Sequence, residues 1–384
     1  MSKLKVLHIA NWYPNKGKIH DGIFIKNHID GLNQHCDNTV IHIQVKPSNH
    51  ILKIEKDSNS IIYYTRLSKY YKIQEWLIFW GLFNFLFIKK KSKGASIVNF
   101  HIATPLCRYL NFFNFFLRKK IVITEHWTAY YRNFNLPKNF KKLNRIKRIF
   151  YKKFHLIAVS EALTKDIKKF SGNEQLNYSV IPNIIDTDKF CYKANQGNDT
   201  TFFMITNWSP EKNPFPILHA LSKIIGSTNF QLRIAGDGSL LKKMKETVSQ
   251  LGLAEHVTFI GRIEPDAIAK EFHNATAFLH SAYYETFSVV CAESLCCGCP
   301  VIATNIPAIQ EYLTEDAGLL VNQFEKELDI ETQSTLWING INQLIENKET
   351  FNRHEISEKF SHKFGKNTVG QSYYNVLKGV HNEG

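Results

Sequence analysis

The chain has 384 residues, 44% of them hydrophobic, which suits two packed domains of about 190 residues better than one and gives no sign of disorder. Its formal charge of +14 is unevenly laid out: residues 1–190 hold 32 Lys and Arg against 12 Asp and Glu, and residues 191–384 hold 16 against 22. That split speaks against a uniformly basic nucleic-acid binder and for two halves with different partners, of which only the first meets an anion.

In chain order, strand-like runs alternate with helix-like segments from end to end. Leu4–Ala10, 39–45, 97–102, 121–125, 156–160 and 178–181 read as strands of the first half. Residues 202–206, 231–235, 257–260, 277–279, 301–304 and 319–321 read as strands of the second. Runs such as Phe202-Phe203-Met204-Ile205 are apolar on both faces, as in parallel strands covered on each side by helices. The fold class expected is therefore α/β, with two Rossmann-like parallel-sheet domains facing a cleft. Pro182-Asn183 and the polar stretch 195–199 mark the boundary. Ligands of such sheets bind beyond the carboxyl ends of the strands, so residues just after strands are the ones to watch.

Several features bear on location. The seven cysteines are odd in number, and Met-Ser-Lys-Leu-Lys leads straight into a strand. The expectation is reduced thiols and a cytoplasmic protein. The apolar stretch 76–88 is shorter than the roughly 20 residues that span a bilayer. With Lys89-Lys90-Lys91 behind it, and a second basic run over 138–153, it suggests docking on an anionic membrane surface at the inner face of the cytoplasmic membrane.

The strongest chemical signal runs from Tyr284-Glu285-Thr286-Phe287-Ser288-Val289-Val290-Cys291-Ala292-Glu293 to Cys297-Gly298. A strand ends near His280-Ser281, a loop carries Glu285, and a helix from about residue 287 carries Glu293 and stops at Gly298. The unpaired N–H groups of its first turn form a site for a diphosphate. Carboxylates flanking such a turn accept hydrogen bonds from sugar hydroxyls. No Asp-x-Asp pair or histidine cluster at metal spacing accompanies them, so no metal is expected.

This segment resembles the Glu–seven residues–Glu motif of the retaining glycosyltransferases of family 4, which have the GT-B fold. The resemblance extends along nearly the whole chain. It includes Asn11-Trp12-Tyr13-Pro14 with Asp21-Gly22-Ile23-Phe24, Thr124-Glu125-His126-Trp127, Val159-Ser160 and Pro182-Asn183. In the second half it takes in Pro210-Glu211-Lys212-Asn213, Gly236-Asp237-Gly238, Gly261-Arg262, and Ala303-Thr304 through Glu311.

The resemblance implies roles. Glu293 holds the ribose hydroxyls of a UDP- or GDP-sugar donor, and Glu285 holds the donor sugar. The amides of Phe287, Ser288 and Val289 hold the diphosphate, Lys212 neutralises it, and Gly22 lets a first-domain loop approach it. His126 sits near the transferred sugar, and the backbone of Gly261 and Arg262 meets the base. The implied reaction is a retaining, metal-independent transfer to a glycan or polyprenyl-diphosphate-linked acceptor, in surface polysaccharide biosynthesis, with no cofactor beyond the donor. Residues 1–185 form the acceptor-binding domain, joined by a returning helix over about 366–384, and 186–365 form the donor domain.

The sequence departs from the family's pattern at Asn207, where an Arg is usual, at Ile184 after Pro182-Asn183, and at Pro307-Ala308. Two further readings stay open: a nucleotide-sugar 2-epimerase of the same fold, and a non-catalytic nucleotide-sugar-binding subunit, the latter suggested by Asn207. Cys291, Cys296, Cys297 and Cys299 read as small hydrophobes rather than zinc ligands. Gly236 and Gly238 serve either a phosphate or a tight turn, and Asp237 a helix cap.

Overall fold

The computed structural model describes residues 3–14, 21–46, 52–57, 60–66, 74–83, 86, 94–104, 110–137, 141–194, 199–322 and 328–383. The basic run 89–93, the linker residues 195–198, Lys138 and Cys107 lie outside them. The chain forms two compact units, Met1–Ile184 with Lys366–Gly384, and Ile185–Gly365.

In the first unit the strands are β1 (Leu4–Ala10), β2 (Cys36–Lys46), β3 (Leu52–Asp57), β4 (Ser60–Arg66), β5 (Ile97–His101), β6 (Lys120–Glu125), β7 (His155–Ala158) and β8 (Tyr178–Val180). They lie in the order β3-β4-β2-β1-β5-β6-β7-β8. All neighbours are parallel except β3 and β4, an antiparallel pair that the sequence reading did not anticipate. Strand β5 is buried throughout and β6 from Ile121 onward, which explains the predominantly apolar starts of both, while Asn99, His101, Thr124 and Glu125 are buried polar side chains toward their carboxyl ends.

Helices α1 (Ile23–Leu32), α2 (Gln74–Phe83), α3 (Leu110–Leu117), α4 (Lys141–Lys147) and α5 (Glu161–Ser171) belong to this unit. Helix α5 shows how local chemistry sets such bounds. The Ser160 hydroxyl caps it by accepting the Leu163 N–H at 3.0 Å, Lys168 and Lys169 occupy its last turn, and Gly172 ends it with φ 78°.

The second unit holds β9 (Thr200–Asn207), β10 (Phe230–Asp237), β11 (Val257–Gly261), β12 (Ala277–His280), β13 (Val301–Thr304) and β14 (Gly318–Val321). They form a parallel sheet in the order β11-β10-β9-β12-β13-β14. Helices α6 (Phe215–Ile224), α7 (Leu241–Gln250), α8 (Pro265–Asn274), α9 (Val289–Cys296), α10 (Pro307–Gln310), α11 (Ile330–Glu346) and α12 (Arg353–Phe364) complete it. The reversal of strand order at β9 and β12 is the switch point where such sheets bind ligands.

The last helix, α13 (Lys366–Asn382), packs into the first unit. Val369, Tyr373, Leu377 and Val380 recur at helical spacing and join a core with Val6, Leu32, Ile97, Val122 and Ile157. Glycines at the crossing with α1 let the two backbones meet: a Cβ on Gly370 would stand 2.3 Å from the Gly31 carbonyl oxygen.

Candidate active site

At the carboxyl end of β9 the chain turns through a short 3-10 segment, Pro210–Lys212, and at the end of β12 it enters the loop that carries Glu285. Two bonds fasten these loops together. The Tyr283 N–H donates to the Glu211 carbonyl at 2.9 Å, and the Ser281 hydroxyl donates to the Lys212 carbonyl at 3.0 Å. Lys212 Nζ is thereby placed 2.5 Å from Glu285 Oε1. His280, at the end of β12, reaches the same oxygen with Nε2 at 3.0 Å. Burial pushes the Glu285 carboxyl up, but the Lys212 cation and His280 outweigh it and hold the group at about 2. Burial lowers the His280 pKa against the raising effect of Glu285, and a proton on Nε2 lets the ring donate to the Glu285 carboxylate.

Helix α9 starts after Ser288, a non-glycine residue in the left-handed region at φ 67°. Its surroundings hold it there. Ser288 Oγ lies 3.3 Å from His280 Nε2 and 3.2 Å from Cys291 Sγ, and the Tyr312 hydroxyl donates to the Ser288 carbonyl at 3.3 Å. Phe287 is buried against Tyr312 and Phe364, with ring centroids 5.4 and 5.3 Å away. The helix begins two residues later than the sequence reading places it, because this kink occupies 287 and 288. Among the described residues, none accepts from the N–H groups of Phe287, Ser288 or Val289. A helix start with open donors and a lysine at hand is suited to an anion.

Glu293 lies within α9 and has different neighbours from Glu285. Burial raises its carboxyl to about 8, and the nearby charge of Asp186 adds to the effect. A carboxyl in that state gains most from new hydrogen-bond donors, which ribose hydroxyls are.

On the adjoining strands, Asn207 is exposed at the end of β9, in register with Asp237 of β10. Arg262, largely exposed after β11, reaches the Asp237 carboxylate at 3.2 Å. Gly261 adopts φ 70° with open space around it, so it is a conformational glycine. Gly236 and Gly238 are crowded instead. A Cβ at Gly236 would meet the Thr206 carbonyl oxygen at 2.0 Å, and one at Gly238 the Trp208 carbonyl oxygen at 2.4 Å. Packing against the buried Trp208 segment accounts for both glycines.

His126 and Gly22 belong to the first unit. His126 is buried at the end of β6, with Nδ1 3.1 Å from Asn183 Oδ1, so two of the sequence signatures join there. Phe24 and His28 flank its ring at 4.7 and 5.2 Å, and burial holds its pKa well below the usual range. His8 Nδ1 and His101 Nε2 stand 3.0 Å apart nearby, and burial lowers both rings. Gly22 has φ 69°, and a Cβ there would strike the Trp12 carbonyl carbon at 2.5 Å, so its small size serves the fold itself.

Sequence reasoning missed three contributors: His280, Tyr312 and Asp186. A histidine at the very end of a strand, five residues before Glu285, was the available signal for the first. Among the described residues, no three His, Cys, Asp or Glu side chains group as metal ligands do. Cys291, Cys296, Cys297 and Cys299 are buried thiols pushed upward by that burial.

Two family profiles cover most of the chain. Glycosyl transferases group 1 match residues 187–366, and Glycosyltransferase Family 4 matches residues 47–189. The chain belongs to glycosyltransferase family 4.

Among curated members, the N-acetyl-alpha-D-glucosaminyl L-malate synthase of Bacillus anthracis is 25% identical over 240 residues, 59% of this chain and 61% of that one. The alpha-monoglucosyldiacylglycerol synthase of Streptococcus pneumoniae is 30% identical over 121 residues, 31% of this chain and 27% of that one. The chain thus matches less than two thirds of these relatives' lengths. An Anabaena protein crystallised with UDP and glucose shares the fold, with a TM-score of 0.72 at 15% identity over 98% of this chain and 100% of that one. That fold is GT-B.

Proposed function

We propose that the protein is a retaining, metal-independent glycosyltransferase that takes a sugar from a nucleotide-diphosphate donor. The observation that carries this reading is the Lys212–Glu285–His280 constellation beside the open N–H groups at the start of α9. Cleavage of the anomeric carbon–oxygen bond leaves negative charge on the departing diphosphate. Lys212 and the helix start are preorganised donors for that charge. Glu285, ionised and anchored by two partners, accepts from the donor sugar's hydroxyls. Glu293 accepts from the ribose. With Asn207 where an Arg is usual, Lys212 carries the side-chain cation of the phosphate site.

The Anabaena neighbour's crystals with UDP support a uridine donor. The Streptococcus relative's name, a diacylglycerol product, supports a lipid-borne acceptor for the basic first unit. The acceptor reading is a lipid- or glycan-linked hydroxyl at the cytoplasmic leaflet, as in surface polysaccharide assembly.

A panel of UDP- and GDP-sugars screened by thermal shift, then by nucleotide release with lipid-linked acceptors, tests the proposal. The expected result is stabilisation by one nucleotide class and acceptor-dependent release, with the product anomer matching the donor's by NMR. If no nucleotide sugar stabilises the protein, the reading is wrong. Turnover of donor without acceptor would point to the 2-epimerase chemistry, and binding without turnover to a non-catalytic subunit.

A further inference from the structure

The strand order of the first unit reverses at β1. The chain leaves β1 for β2 on one side and comes back to β5 on the other. The carboxyl ends of β1, β5 and β6 lie level, with Ala10 paired to His101 and His101 to Thr124. Such a switch point is where open parallel sheets take ligands. At its centre is the turn Ile102-Ala103-Thr104 after β5. Ile102 is buried and sits at φ 64°, a left-handed conformation that β-branched residues rarely adopt.

Hydrogen bonds hold it there. The Ile102 N–H donates to the Thr124 carbonyl at 2.8 Å. The Asn11 side-chain amide donates to the carbonyls of Ile102 and of Thr104, the latter at 3.0 Å. The Ala103 N–H donates to Glu125 Oε1 at 2.8 Å. That carboxyl is fully buried and also accepts from the Tyr130 hydroxyl at 2.5 Å. Burial pushes it up to about 7 in spite of these bonds. The edge thus carries a strained residue beside a buried acid, and costs of this kind persist where a fixed shape serves a ligand.

Each anchor also sets an indole. Trp12 follows Asn11 directly, and Trp127 lies inside the loop that the Glu125–Tyr130 bond closes. The two rings meet edge to face, with centroids 5.5 Å apart. They pack on the core around Ile25, Ile29 and Ile102, and both remain partly exposed. Phe24 lies 6.3 Å from Trp12 and 4.7 Å from the His126 ring. Flat rings beside hydrogen-bonding groups fit a ligand with an apolar face and a hydroxylated rim, and a pyranose is such a ligand. A bare alkyl alcohol offers one hydroxyl and no rim to match.

Resting on the transferase reading above, we propose that Trp12 and Trp127 determine acceptor specificity: the acceptor presents a terminal sugar whose pyranose ring stacks on these indoles, rather than the hydroxyl of a bare lipid. Asn11 and Glu125 are positioning residues that fix the indoles around the turn 102–104.

Saturation-transfer NMR on the full chain tests this, with the methyl pyranosides of glucose, galactose, mannose and N-acetylglucosamine as probes and 1-hexanol as the bare alcohol. At least one pyranoside is expected to bind through its ring C–H face, and hexanol is expected not to. The same titration should shift the tryptophan emission of the unaltered protein, a readout that needs no variant. Trp12→Leu and Trp127→Leu fill the space without a flat ring, and each should weaken pyranoside binding roughly thirtyfold, the scale of a tryptophan anchor, while Trp127→Phe keeps most of it. Glu125→Ala should weaken binding too, and Glu125→Gln, which keeps an oxygen for the Ala103 N–H, should restore most of it. Nucleotide-sugar binding, read by thermal shift, should match wild type in every variant, since Lys212, Glu285 and Glu293 lie in the second unit. No pyranoside binding, hexanol binding as well as the sugars, or wild-type binding by both Leu variants overturns the proposal. Failure of the donor reading looks different: pyranosides still bind, and no nucleotide sugar stabilises the protein.

Discussion

Donor binding should release a proton from Glu293, and the amount can be worked out. With its carboxyl at about 8, Glu293 is about 90% protonated in the free protein at pH 7. Hydroxyls that donate into a carboxylate favour the ionised form, so the complex has the lower pKa. A group depressed on binding favours the complex as pH rises toward the free pKa, and that preference is lost as pH falls through the pKa of the complex. If two or three donor bonds lower the group by roughly 2 to 3 units, the linkage is worth about 3 to 4 kcal/mol. Affinity should then fall roughly tenfold per pH unit below 8 until the bound pKa is reached. Nearly one proton should be released per donor at pH 7.

Isothermal calorimetry in two buffers of different ionisation enthalpy measures that proton directly. The ligand must be a nucleotide sugar, whose diphosphate is esterified at both ends and does not titrate in this range. Glu293→Gln keeps an acceptor and cannot titrate, so its proton release vanishes and its affinity is flat between pH 6 and 8. Heats that do not depend on buffer would refute the assignment, as would a pH slope that survives in the Gln variant.

Three other outcomes follow from the same geometry. Lys212→Met strands a buried carboxylate, which should destabilise the second unit by about 2–4 kcal/mol, whereas Lys212→Met/Glu285→Gln should recover roughly half of that; strictly additive denaturant midpoints would deny the coupling. The buried rings of His8 and His28 have folded pKa values of about 4, below the unfolded 6.5, so the stability they confer is full above 6.5 and is lost as pH falls toward 4. The loss is roughly 3 kcal/mol per ring, and hydrogen exchange at β1 and β5 that does not change between those pH values would contradict it. Gly236→Ala should cost roughly 3 kcal/mol through its collision with the Thr206 carbonyl, against about 1 kcal/mol for Gly252→Ala, which has a similarly positive φ in open space; equal costs in urea unfolding would remove crowding as the reason for Gly236.

The parallel strands were legible because burial on both faces writes an uninterrupted apolar run, as in Phe202-Phe203-Met204-Ile205. The loop with Glu285 and the helix with Glu293 were legible because their spacing straddles a helix start. Lys212 was visible only through the family resemblance of Pro210-Glu211-Lys212-Asn213, and its bond to Glu285 was not visible at all. That bond depends on Tyr283 and Ser281 fastening two loops about seventy residues apart in sequence. His280 carried no spacing pattern of its own, since its function arises only when the Glu285 loop folds back onto the strand end. The β3–β4 hairpin escaped notice because 52–66 mixes charged and apolar residues without a steady period.

The excursion of the chain out of the first unit at Ile184 and back at Lys366 has a consequence for synthesis. The two crossings lie next to each other, with Ile185 bridged to Gly365 and its N–H bonded to the Phe364 carbonyl. The second unit is thus a continuous cassette that can close while the ribosome is still at work. The first unit, though translated first, lacks Val369, Tyr373, Leu377 and Val380 until α13 emerges, and its core stays open to solvent until then. A chaperone that waits on the nascent chain would find its binding site in the half made earliest, and a stop codon just inside the start of α13 would spare the second unit while leaving the first unfinished.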